Sequence, residues 1–164
     1  SPHGLATSIR VGLQGYVAVF PWLIVLLVMA VEMTRRLGLP LPMEPIQELL
    51  FKEDRPLVLG LTVLLACVVG PVAEELFFRG VLYPAIRRRT SWGLAMFLSA
   101  TLFALLHANP VGFPAILLLG CFLANLYERT GSLAGSLTVH ILHNTLLIST
   151  AFLVRRLTTL APPT

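Results

Sequence analysis

The chain has 164 residues, 56% of them hydrophobic and 12% charged, with a mean hydropathy of +0.83. Soluble domains sit near ~45–50% apolar and ~25% charged, so this composition excludes an ordinary soluble domain and indicates a multi-pass integral membrane protein. The net charge of +4 comes from eleven Arg and one Lys against eight acids; these cations sit at the ends of apolar runs, as membrane anchors do and as a nucleic-acid surface does not.

At ~20 residues per pass, the length holds five or six helices. The chain opens without an initiator Met and without a charged-then-apolar leader, which leaves room for helices upstream. Val11 to about Met33 is the first spanning run, bounded by Arg10 and Arg35-Arg36, with Pro21 as a possible kink and Glu32 near its end. Its expected role is anchoring. Leu37–Arg55 is the polar stretch, with three prolines. Within it Met43, Ile46, Leu49 and Leu50 recur at helical spacing, and Glu48 and Lys52 stand four apart. That pattern fits a short amphipathic helix in the headgroup region, with an ordered surface loop as the alternative.

From Pro56 the chain is apolar to Val69, passes Gly70-Pro71, and ends at Arg87-Arg88-Arg89. One long helix with a kink or break at Gly70-Pro71 is expected, and a carbonyl freed there could face a cavity. Trp92–His107, Phe113–Tyr127 and Ser132–Val154 are further runs, closed by Ala108-Asn109-Pro110, Glu128-Arg129-Thr130-Gly131 and Arg155-Arg156. Trp92 and Tyr127 suit the interface belt. Alternating passes put five cations on one side and six on the other, so charge does not orient the chain. Cys67 and Cys121 lie inside apolar runs and read as small buried hydrophobes. The expected fold is an all-α, multi-pass transmembrane bundle. It divides into an N-terminal helix and interfacial linker (1–56), a core (57–156) and a tail (157–164).

Glu74, Glu75 and Arg79 interrupt an apolar region, where a single charge costs at least ~2.5–3.5 kcal/mol. Glu75 and Arg79 are four apart with the acid N-terminal, the favourable order for a pair that offsets the burial of both. Glu74 points about 100° away. It is the surplus carboxylate, and a candidate general base. His107, His140 and His143 lie in or at the ends of apolar runs, while His3 is near the terminus. His140 and Asn144 share a face, as do Phe103 and His107. Intramembrane ionisable residues of this kind are functional candidates. They could also form a structural ion network, or a proton relay in a carrier.

In this order and on separate helices, Glu74-Glu75-x-x-x-Arg79, Phe103-x-x-x-His107 and His140-x-x-x-Asn144 resemble the CAAX prenyl protease and bacteriocin-processing family. Its best-known members are the Ras-converting CAAX endopeptidases. Tyr127-x-x-Thr130-Gly131-Ser132-Leu133 resembles that family's lead-in to its last motif. The resemblance runs from about Leu57 to Val154 and implies a metal-free intramembrane glutamate protease. Glu74 would activate water with help from His107, and His140 and Asn144 would stabilise the oxyanion. Glu75 and Arg79 would support them. Phe103 would pack beneath His107. His143 has no family role and is expected to pack, with a supporting hydrogen-bond role as the alternative. The partners implied are the bilayer and a peptide or lipidated protein substrate, with no nucleic acid.

Two alternatives stand beside this reading. In one, Glu74, His107 and His140 ligate zinc in a membrane metalloprotease, although no His-Glu-x-x-His helix is present. In the other, the chain is a non-proteolytic scaffold, immunity protein or proton-coupled carrier. A serine–histidine site at Ser136 is set aside, because small residues in membrane helices more often serve packing.

Overall fold

The structure is a computed structural model that describes residues 4–41 and 45–160. The described residues form six helices and no strand: α1 (Leu5–Arg36), α2 (Pro45–Lys52), α3 (Pro56–Arg87), α4 (Trp92–Leu106), α5 (Phe113–Thr130) and α6 (Leu133–Leu160). In α1, α3 and α6 the best apolar windows reach mean hydropathies of 2.2, 2.3 and 1.6, and each helix is long enough to span a bilayer. The polar linker does contain the short helix α2; Met43 of the predicted spacing, like His3, lies outside the described residues.

Helix ends follow local chemistry. Ser91 caps α4 by accepting from the Leu94 N–H. Gly131 ends α5 in the left-handed region at φ 61° and donates its N–H to the Tyr127 carbonyl. Ala108, just past α4, also has a positive φ of 49°, a conformation that costs a β-carbon-bearing residue about 1 kcal/mol or more. α4 has only 15 residues, or ~22 Å at 1.5 Å each against a ~30 Å apolar layer. It starts beside the Arg87–Arg89 cluster and, by length, is shorter than a full crossing of that layer.

The helices pack through small residues. The predicted anchor α1 is more than an anchor: Ser8 and Gly12 lie against Gly135 of α6. A β-carbon on Gly12 would stand 2.9 Å from the Gly135 carbonyl oxygen, and one on Gly135 only 2.6 Å from that of Ser8. Without a hydrophobic drive between helices in lipid, such close approach supplies the association. Tyr16, Leu23, Leu119, Leu123, Leu126 and Val139 then join α1, α5 and α6 in one core. α4 and α5 meet at Gly120, where an added β-carbon would lie 3.1 Å from both Ala100 and Phe103.

Polar ties close both ends of the bundle. Arg155 of α6 donates from Nη1 to the Leu50 and Glu53 carbonyls at 2.8 Å each, capping α2 while Leu50 packs with Cys67 and Ile148. In the linker beyond α2, hydrogen bonds from Arg55 pull the Glu53 carboxyl down to about 2. At the opposite end the Tyr83 hydroxyl donates to Glu128 at 2.7 Å and Arg87 pairs with the same carboxylate at 3.0 Å. Cys67 is buried and Cys121 half-buried, both as free thiols.

Candidate active site

α3 contains two π-helical segments, Leu65–Val69 and Leu76–Leu82, with the two glutamates between them and Arg79 within the second. The interruption expected at Gly70-Pro71 takes this form rather than a break in the helix. In the first segment the Gly70 N–H reaches back five residues to the Leu65 carbonyl; in the second, the Tyr83 N–H does the same to Phe78. The next residue in each case is proline, Pro71 and Pro84. Proline has no N–H with which to continue either ladder. Segments with an extra residue per turn recur at functional sites because they re-aim side chains, and Glu74 and Glu75 lie on the six-residue α-helical piece between these two.

Glu75 and Arg79 are each 1% exposed and paired at 2.9 Å. Two further contacts engage the guanidinium, while its Nε has no hydrogen-bond partner among the described residues. Its Nη2 donates to the Gly120 carbonyl of α5 at 3.1 Å, and its central carbon lies 4.7 Å from the centre of the Phe103 ring. A buried charge pair is tolerable only with such additional partners. Glu75 has a second one, His140 of α6, whose Nδ1 is 3.0 Å from Oε1. A carboxylate only accepts, so Nδ1 carries the proton. That bond orients the ring and turns Nε2 toward Glu74, 3.5 Å from its Oε2.

Glu74 differs from its neighbour. Its side chain is 36% exposed rather than 1%, and among the described residues it has no ion pair with an arginine. Its inward Oε2, like Glu75 Oε2, has no hydrogen-bond partner among them. The surplus carboxylate of the sequence pattern is therefore also the less constrained one. Phe103 lies between the two histidines, with ring centres 4.6 Å from His107 and 5.7 Å from His140. His107 is exposed, and its Nδ1 lies 2.7 Å from the Phe103 carbonyl. No hydrogen bond or ion pair joins it to Glu74 among the described residues. The turn beyond it borders an open, largely apolar cleft of about 490 Å³ lined by Ala104, Ala108, Asn109, Pro110 and Phe113.

Two side chains do work that the sequence pattern did not reveal. Asn144 donates from Nδ2 to the Ala66 carbonyl of α3 at 2.9 Å. His143, expected to pack, instead pairs through Nδ1 with the Tyr16 hydroxyl of α1 at 2.8 Å. A Tyr six residues into the apolar run that starts at Val11 was the available signal, since a buried hydroxyl needs a partner. Ser136 is buried and donates to the Leu133 carbonyl at 3.2 Å, as a packing serine would. Among the described residues no three His, Cys, Asp or Glu side chains gather as a metal-ligand set, and Glu74, His107 and His140 do not form one.

The comparisons with known proteins bear on this geometry. Residues 56–146, more than half of the chain, match the family described as type II CAAX prenyl endopeptidase Rce1-like. The protein called "Putative membrane peptidase YdiL" from Bacillus subtilis (strain 168) is 27% identical over 88 residues, 54% of this chain. The matched stretch spans only 36% of that relative's length. No solved structure matches the chain significantly.

Proposed function

The chain belongs to the Rce1-like family of type II CAAX prenyl endopeptidases, and from that premise we propose that it is an intramembrane endopeptidase working by a metal-free, glutamate-activated water. The observation that carries the proposal is His140 held between two unlike carboxylates. Its Nδ1 is committed to the buried Glu75 and its Nε2 faces the inward oxygen of Glu74. One acid thus orients the imidazole while the other is free to take a proton.

The steps follow from those roles. Glu74 accepts a proton from water as the oxygen adds to the scissile carbonyl, with His107 holding that water from the far side of Phe103. The oxyanion takes hydrogen bonds from the Nε2–H of His140, which acts as an imidazolium whose Nδ1–H stays on Glu75, and from the Asn144 amide proton not given to Ala66. Collapse of the tetrahedral intermediate breaks the C–N bond, and the leaving nitrogen recovers the proton held by Glu74. Base catalysis contributes ~10²–10⁴-fold and each oxyanion donor ~10²–10³-fold. The substrate is a peptide presented from the membrane, of the lipidated C-terminal kind.

Detergent-purified protein should cleave a prenylated CAAX-type fluorogenic peptide. Cleavage should survive a strong chelator and fall by ~10²-fold or more in Glu74→Ala. Loss of activity on chelation, with recovery on adding zinc, would instead support the metalloprotease. Full activity in Glu74→Ala would end the glutamate mechanism.

A further inference from the structure

Pro71 and Asn144 are two halves of one device. In the first π segment of α3, residue 70 donates to the carbonyl of residue 65. The next rung of that ladder would run from the N–H of residue 71 to the Ala66 carbonyl. Residue 71 is proline, so that rung has no donor. The Ala66 carbonyl instead accepts from Asn144 Nδ2, 78 residues away on α6, at 2.9 Å. Inside an apolar bundle, a carbonyl without a partner carries a desolvation cost that an α-helical register would avoid.

We propose that Asn144 is a positioning residue that holds the π register opened by Pro71, and that this register aims Glu74. Removing the extra residue from that turn would rotate everything after Gly70 relative to the preceding helix, by as much as one residue's angular step. Glu74 lies three residues beyond the proline and Asn144 lies one turn beyond His140. A single amide therefore ties the placement of the proposed base to the helix that carries the imidazole. The second π segment ends before Pro84 in the same way. The inference rests on the endopeptidase reading only for its activity readout; the helix-register claim stands without it.

The test is a mutant cycle in the full chain, read by thermal unfolding in detergent and by cleavage of the prenylated CAAX-type peptide. Asn144→Ala should lower Tm by roughly 2–10 °C, the cost of one unpaired buried carbonyl. Pro71→Ala supplies the missing N–H, so adding Asn144→Ala to Pro71→Ala should lower Tm by less than half as much. If Asn144→Ala alone does not fold, recovery of a folded double variant is the same result. Equal losses in both backgrounds would overturn the clamp. Pro71→Ala alone should lower kcat at least tenfold with little change in KM, since misplacing a reacting group by about 1 Å costs up to ~10²-fold. Unchanged kcat in that variant would overturn the aiming of Glu74. A wild-type protein that cleaves nothing would count against the endopeptidase, and the melting cycle would still decide the clamp.

Discussion

α1 and α3 are both 32 residues long, both apolar enough to span a bilayer, and both carry proline in the interior. They respond differently. α1 stays α-helical through Pro21, which faces outward beside a Val17 that is 74% exposed. α3 passes into π geometry before Pro71 and again before Pro84. Proline alone therefore does not set the geometry of a membrane helix here. In α3 the freed carbonyl of Ala66 points into the bundle, where Asn144 meets it, and the following turns must present Glu75 and Arg79 to fixed partners on α5 and α6. The lipid-facing part of α1 has no such demand on the angle of any side chain.

That contrast is most severely tested at Arg79. Arg79→Ala leaves Glu75 buried beside His140 without its guanidinium partner and takes a donor from the Gly120 carbonyl. Breaking a buried pair in this way costs ~3–5 kcal/mol, and unfolding of the purified variant in detergent should show a loss of that size. A melt like that of wild type would mean that the site tolerates an uncompensated carboxylate. No substitution on the outward face of α1 should approach this effect.

A smaller effect is expected where α1 does enter the bundle. Gly12→Val would place a β-carbon 2.9 Å from the Gly135 oxygen and 3.2 Å from Val139. Overpacking of this kind costs ~1–3 kcal/mol. It should push α1 off α6, read as a lower Tm and as new protease cuts in α1. The mildest change is Tyr16→Phe, which removes only the hydroxyl bonded to His143. It should cost ~0.5–1.5 kcal/mol. A neutral Tyr16→Phe would mean that the hydroxyl adds nothing and that α1 is held to α6 by close packing alone.

Much of the bundle could be read from spacing, because its causes are local. Apolar runs bounded by arginines, by Gly131 and by Asn109-Pro110 mark where α3 to α5 begin and end within a few residues. By contrast α1 starts at Leu5, before Arg10, and α6 continues through Arg155-Arg156 to Leu160, because a charged residue at a span's edge does not itself stop a helix. The pair Glu75–Arg79 follows from the four-residue separation and the burial of both, as does the separate direction of Glu74. The turn chemistry of Gly131 was equally visible. By contrast, Gly70-Pro71 signalled an interruption without saying of what kind, since a kink, a break and a π segment all relieve the same missing N–H.

What the sequence by itself determined, then, is the set of helices and the angular relations within each one, both consequences of the 3.6-residue repeat and of apolar length. Only the tertiary structure decided which carboxylate His140 engages through Nδ1, what receives Arg79 across the bundle, and why a buried Tyr16 meets a half-buried His143. It alone also decided that Asn144 reaches Ala66. These bonds join residues 41 to 127 positions apart. No local pattern selects such partners; each is chosen by the need of a polar group, taken out of water, to find the one complementary atom that close helix packing brings within reach.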